Sequence, residues 1–393
     1  MSEQAYNLFE VISPEDKKEF LKFPSVLYKY DPKFIRPLDE DVERIFEPQK
    51  NKRLRKGEAI RWLLKTKQNK TVGRIAAFVD PDTAHNNDQP TGGCGFFDCI
   101  DDQSAANCLF GAAIDWLKAR GMQAVDGPIN FGDRDSFWGV LVDGFHEPLF
   151  NMPYNYPYYQ RLFETFGFQN YFNQYTYKRP ISGEGINPVI QEKAGRIALN
   201  PDYSFRMISW KNIDQFANDF LEIYNKAWGS IPGTKKISLP HAIALLKKMK
   251  PILDTRLVHF GYYKNEPIAF FIMMQDLNQV IKSFNGKLNL IHKALMFYHL
   301  KIRKTPNRIV GRIFGIVPEH QGKGVDGALV MAFKQVALTA GFPYTELEMN
   351  WIGDFNPSMM KVVENIGGKI YKTHTTYRYL FDRTKPFTRA RIQ

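Results

Sequence analysis

Between Arg312 and Val330 the sequence reads RIFGIVPEHQGKGVDGALV, a hydrophobic strand that runs into a glycine-rich turn and then into an apolar helical pattern. Residues of these types in this order can hold a phosphate. Glycines let backbone amides close on a pyrophosphate, and the unpaired amides and dipole of a helix start favour an anion. The spacing belongs neither to a Walker loop nor to a GxGxxG fingerprint. Further on, Glu346 and Glu348 stand two apart in the strand-like stretch Tyr344 to Asn350, which brings both carboxylates out on one sheet face. Such a carboxylate can take a proton directly or through water, or can stand solvated or salt-bridged.

The turn resembles the Q/R-x-x-G-x-G/A signature of the GNAT superfamily of acyl-CoA N-acyltransferases, with Gln321, Gly322, Lys323 and Gly324 in place. Asn356, Met359, Val362, Glu364 and Gly367 follow the superfamily's last-helix pattern, with Met at its Ala place and Val at its Leu place. The resemblance covers the whole second half. It implies acetyl-CoA or another acyl-CoA as co-substrate, no metal, strand amides near Ile316 and Val317 for the thioester carbonyl, and contacts from Val325 and Asn356. Glu346 or Glu348 would be the base. Val363 occupies the place where many members carry the tyrosine that protonates the thiolate, so Tyr377, on the last strand, is the candidate acid, although its repeat partner Tyr177 argues for a shared structural role instead. Asp326 replaces the signature's final small residue, and a carboxylate about 6 Å from a phosphate charge opposes it by ~2 to 3 kcal/mol at an effective dielectric of about 20. In the first helical turn the same acid also interacts favourably with the dipole, with Gly327 supplying close approach. The first half resembles the same fold without its cradle, because Asp101, Asp102 and Gln103 follow its strand where the glycine turn would be.

The elements that must position these groups repeat. Glu164, Gly167, Tyr171, Thr176 and Tyr177 recur 200 residues later as Glu364, Gly367, Tyr371, Thr376 and Tyr377. In each copy a helical pattern ends at a glycine and an aromatic, threonine-rich strand follows. Upstream, Trp62 to Leu64 with Val72 to Val79, and Leu257 to Tyr263 with Pro267 to Met274, read as hairpins. Each leads to a further strand and a long helix, one with Ala105, Leu109, Ala112 and Trp116 on its apolar face, the other with Val325, Ala328, Leu329 and Ala332. Turn formers around Pro180, Gly185 and Pro188 divide the chain. The expectation is α/β (α+β): two tandem GNAT-like domains, 1–185 without a pyrophosphate loop and 186–393 with the acyl-CoA site, each a mixed, mostly antiparallel sheet flanked by helices.

Composition suits this. The 393 residues are 44% hydrophobic and 24% charged, as in folded globular proteins, and carry a net charge of +12 that biases the surface toward anions. Apolar runs are too short to span a bilayer and the acidic start lacks a signal pattern, which predicts a cytoplasmic protein. Cys94, Cys99 and Cys108 match neither redox nor zinc spacing and read as packed thiols. Lys282 to Arg312 holds eight lysines and arginines, two histidines and no acid, with Ile291, Leu295, Tyr298 and Ile302 at helical spacing. It could contact RNA or tRNA, lie on a membrane surface, clamp CoA phosphates, or pack at the domain interface with a solvated basic edge. The glycine-rich stretch Gly127 to Gly144, with Asp133, Arg134 and Asp135, could line an acceptor pocket between the halves. The partner expected is a small-molecule or peptide amine. Two other functions fit the same features: a transferase that takes its acyl group from aminoacyl-tRNA, as Fem-type ligases do, and a non-catalytic binder of CoA or a nucleotide. Oligomeric state is not legible.

Overall fold

The computed structural model describes residues 5–86, 88–132, 136–182, 184–228 and 238–391. Thirteen strands form one sheet among these residues: β1 Tyr6–Glu10, β2 Glu58–Thr66, β3 Thr71–Val79, β4 Thr91–Cys99, β5 Ala124–Gly127, β6 Val140–Asp143, β7 Gln169–Pro180, β8 Tyr203–Met207, β9 Val258–Tyr263, β10 Glu266–Gln275, β11 Arg308–Ile316, β12 Glu346–Gly353 and β13 Lys369–Leu380. The helices are α1 Pro14–Leu27, α2 Asp39–Glu43, α3 Gln103–Lys118, α4 Tyr158–Phe166, α5 Pro188–Leu199, α6 Ile213–Trp228, α7 Leu239–Met249, α8 Asn278–Ile281, α9 Leu290–Phe297, α10 Val325–Ala337 and α11 Pro357–Asn365. None of them is long and apolar enough to cross a membrane, among the described residues.

Local chemistry sets these boundaries. Asp102 caps α3 by accepting the Ala105 amide at 3.0 Å, and Asn356 caps α11 through the Met359 amide at 3.2 Å. The repeated glycines, Gly167 (φ 110°) and Gly367 (φ 85°), turn the chain after α4 and α11 in the left-handed conformation that side chains resist. Lys264 and Asn265, both at positive φ, make the tight turn between β9 and β10.

Along the sheet the order is β1-β2-β3-β4-β5-β13-β7-β12-β11-β10-β9-β8, with β6 extending the β5 side of β13. Only β4–β5 and β11–β12 are parallel. The last strand of each half therefore lies beyond its own half: β7 pairs with β12 of the second half, and β13 pairs with β5 of the first. The two exchanged strands pair antiparallel at the centre. Arg378 ties β13 to β5 through both oxygens of Asp126, at 2.6 and 2.8 Å.

The exchange explains the repeated tyrosines. Tyr377, from the second half, is buried in the first-half core against Phe163, and Tyr177, from the first half, is buried in the second-half core beside Val363 and Leu347. Two apolar layers result. α3 and α4 pack on β2–β5 through Leu109, Phe110, Leu117 and Phe163, while α10 and α11 pack on β9–β12 through Leu329, Phe333 and Val363. Cys94 and Cys99 are buried as free thiols in the first layer, and burial holds both well above the usual thiol range.

Candidate active site

In the second half β11 and β12 pair from Arg308–Glu346 to Gly311–Met349 and then part, although β11 runs on to Ile316 and β12 to Gly353. Among the described residues nothing bonds the two strands beyond that point, which leaves a gap in the sheet. On its far side β11 stays bonded to β10, where the Val317 amide donates to the Ile268 carbonyl at 2.9 Å. Strand alternation turns Ile316 the other way, and its carbonyl accepts Gln321 Nε2 at 2.9 Å. Ile316 is thus placed to offer its amide to the gap. The expectation for Val317 is corrected, since its amide is already held by β10.

Beyond the gap lies the glycine turn. Gly322 and Gly324 adopt φ of 72° and 94°, and Gly324 starts α10 with no side-chain cap. The amides of residues 322–327 have no protein acceptor among the described residues, so they can converge on an anion. A Cβ at Gly322 would meet open space. By contrast, Gly324 and Gly327 face α5: a Cβ would come within 2.9 Å of Lys193 Cβ at the first and 2.8 Å of Ile190 Cγ2 at the second. The close approach that Gly327 permits is to this helix. Lys323 is exposed beside the turn, Asp326 lies in the first turn of α10, and Asn356 uses its side-chain oxygen as a cap.

The first half has the same parting strands, filled by its own chain. β4 and β5 pair only from Thr91–Ala124 to Gly93–Asp126. After the cis Gly127–Pro128 bond, the Ile129 amide donates to the Cys94 carbonyl at 2.7 Å, and its side chain and carbonyl occupy the space beside Gly93 and Gly95. That gap is closed.

The predicted catalytic groups are not brought together. Glu348 is fully buried, with one oxygen on Arg308 at 3.2 Å and the other on Lys372 at 2.7 Å. Arg308 also grips Asp276 at 2.6 Å, and burial lowers the Lys372 ammonium below its ordinary range. This network braces β10, β11, β12 and β13. Glu346 pairs with Lys178 at 2.9 Å, three residue pairs before the strands part, or about 10 Å along the strand. Tyr377 donates its hydroxyl to Glu164 at 3.0 Å inside the first-half core, and burial pushes its phenol far above the ordinary range. The expectation that it serves as acid beside the cradle is corrected by the strand exchange.

Other polar groups lie at the level of the gap. Residues 144–156 cross the face of β12, β7 and β13: the Pro153 carbonyl receives His374 Nε2 at 3.3 Å, and Met152 Sδ receives the Asn350 amide at 3.3 Å. Phe150 donates its amide to Asp276, and the Pro148 carbonyl takes Asn278 Nδ2 at 2.8 Å. Beneath this crossing, Gln174 Nε2, Asn350 Oδ1 and His374 Nδ1 are buried without a protein partner among the described residues. His374 is registered against Gln174, and Gln174 against Gly353 at the end of β12. Burial pushes His374 down to about 4, so its ring is neutral, donates from Nε2 and keeps Nδ1 as an unfilled acceptor. The alternation Lys372, His374, Thr376 on one strand face was the available sequence signal. Asp133, Arg134 and Asp135 lie outside the described residues, while Gly139 from the same stretch packs against Gln174 and His374.

A cavity of about 250 Å³ lined by Trp210, Asp254, Arg256, Lys301 and Tyr344 shares no residue with the gap or the glycine turn. No group of three or more histidines, cysteines and acids is arranged to hold a metal ion among the described residues.

No protein-family model matches the chain. Over 381 residues, covering 94% of this chain and 96% of the relative, it is 28% identical to the bacterial ceramide synthase of Caulobacter vibrioides. Among solved structures, it is similar to the tandem GNAT protein from the clavulanic acid biosynthesis pathway, at a TM-score of 0.53 and 10% identity, over 97% of this chain and all of that one. It is also similar to the glucosamine N-acetyltransferase region of a fungal multi-domain beta-N-acetylglucosaminidase, at a TM-score of 0.53 and 11% identity over 96% of this chain, which spans 38% of that longer protein. The chain therefore has a tandem GNAT-like fold in which the two halves exchange their last strands.

Proposed function

We propose that the protein is an acyl-CoA-dependent N-acyltransferase whose second half binds the donor and whose first half closes the acceptor site. The observation that carries this reading is the contrast between two gaps. The first-half gap is filled by Ile129, whereas among the described residues nothing bonds across the second-half gap, which leads to amides before α10 that lack a described acceptor. A thioester lying in the open gap would meet the Ile316 amide at its carbonyl and residues 322–327 at its pyrophosphate.

In the transfer, the amine nitrogen bonds to the acyl carbon as the carbon–sulfur bond breaks, the amine loses a proton and the departing thiolate gains one. His374 is the proposed proton acceptor, directly or through a water held by Gln174 and Asn350. Its unfilled Nδ1 supports that role, as do the two neighbouring buried atoms, Gln174 Nε2 and Asn350 Oδ1, that have no partner among the described residues. The Asp276–Arg308–Glu348–Lys372 network positions the strands around them.

The full-length similarity to a ceramide synthase supports a long-chain amine as acceptor and a long-chain acyl-CoA as donor, in place of the acetyl group that the superfamily resemblance suggests. The test is release of free CoA thiol and the mass of the product when sphinganine is incubated with palmitoyl-CoA or acetyl-CoA. An N-acyl product with palmitoyl-CoA supports the reading. Saturable CoA binding without thiol release from the acyl-CoA in the presence of the amine would make the protein a binder, and tRNA binding without CoA binding would make it a Fem-type transferase.

A further inference from the structure

The basic insertion between β10 and β11 forms a firmly seated platform. Leu277, Val280, Ile281 and Phe284 pack with Leu300 and with Leu38 of the first half, and Met296 closes the cluster from α9. The Gly286 carbonyl accepts the Asp39 amide at 2.8 Å, and Arg36 reaches Asn285. α9 and the wide turn Tyr298–Ile302 that continues it are thus held against the protein by one side only.

The other side is apolar and bare. Leu290 is 83% exposed, Ile291 70% and Ile302 65%, and Leu295, Phe297 and Tyr298 are exposed with them. Lys287, Lys293, Arg303 and Lys304 flank this stripe, all exposed and without an ion pair among the described residues. No acid occurs between Lys282 and Arg312.

We infer that residues 287–304 dock on a bilayer that carries anionic lipid, with Leu290, Ile291, Leu295 and Ile302 entering the acyl boundary and the surrounding cations meeting the headgroups. An exposed apolar stripe inside a ring of lysine and arginine has the chemistry of an interfacial helix. Nucleic acid fits less well, because the four aliphatic side chains of the stripe gain nothing from a phosphate backbone and do not stack on bases, as only Phe297 and Tyr298 among the exposed apolar groups could. A second copy fits less well too, since two acid-free basic segments would face each other across the contact. The inference does not depend on which amine is acylated.

The test is sedimentation of the full chain with vesicles of phosphatidylcholine alone and with about a third phosphatidylglycerol, at roughly physiological salt. The expected result is binding to the anionic vesicles, weakened roughly tenfold or more both by Ile291→Gln with Leu295→Gln and Ile302→Gln, and by Lys287→Gln with Lys293→Gln and Arg303→Gln. All six side chains are exposed, so each variant should keep the thermal midpoint of the parent. Failure of the parent to sediment with anionic vesicles would overturn the proposal. So would undiminished binding by the apolar variant, competition by tRNA that only the charge variant relieves, or a dimer in solution that the apolar variant dissolves.

Discussion

The Ile129 amide donates to the Cys94 carbonyl at 2.7 Å, and this bond lies between the two parting strands of the first half, where no described residue makes the corresponding bond in the second half. One donor molecule per chain is the expected stoichiometry. Calorimetric titration with CoA should saturate at one equivalent, and a second equivalent of similar affinity would mean that residues 128–131 move aside.

Gly322 is the position at which the glycine turn can be probed without disturbing packing. Its φ of 72° makes Gly322→Ala cost about 1 kcal/mol of stability, yet the new Cβ meets open space, so weaker CoA binding should accompany a nearly unchanged thermal midpoint. Gly327→Val should do the reverse first, losing about 1 to 3 kcal/mol as Ile190 and α5 are pushed away. Titration and urea unfolding of the two variants separate ligand contact from helix packing.

Glu348→Leu would leave Arg308 and Lys372 buried with one carboxylate fewer, and breaking a buried pair in this way destabilises by about 3 to 5 kcal/mol. Urea unfolding measures it. A loss below about 1 kcal/mol would exclude the bracing role.

Tyr377→Phe removes only the hydroxyl donated to Glu164, so stability should fall by about 0.5 to 1.5 kcal/mol while acyl transfer changes less than about twofold. His374→Gln should instead depress turnover much more than CoA affinity. Equal turnover in both variants would remove His374 from the proton path.

Two buried histidines give a pH dependence of known sign. His374 and His259 are each pushed down to about 4 by burial, below the ordinary 6.5, so the unfolded chain binds more protons than the folded one between these values. Stability is complete above about 6.5 and is lost as pH falls toward 4, by on the order of 3 kcal/mol per histidine. Urea midpoints across that range should fall, with a shallower slope in His374→Gln.

Much of this architecture was legible because local rules and tertiary packing agree. The hairpins, the glycine stops at Gly167 and Gly367, and the apolar faces of α3 and α10 follow from turn chemistry and period. What the sequence concealed was which half each closing strand joins. Tyr377 follows α11 in the chain but fills the core built by α3 and α4, and no periodicity records that crossing. The repeat itself held the clue: Glu164 and Tyr377, one from each copy, meet across the exchange. Likewise the acidic pair on β12 reads correctly as one-faced, but its ion partners come from β7, β11 and β13, far away in sequence. Alternation along β13 marks the face on which His374 stands, but not the burial that leaves its Nδ1 and Asn350 Oδ1 without a partner among the described residues.

The exchanged strands also bear on how such a duplication can diverge. A half whose gap is closed by its own chain would ordinarily be free to decay or be deleted. Here each half stores the strand that completes the other's sheet, so removing residues 1–185 would strip β7 from β12 and leave β13 without β5. The two halves are interlocked hostages. One of them can change its chemistry freely, but neither can be discarded, and the pair should melt in a single transition.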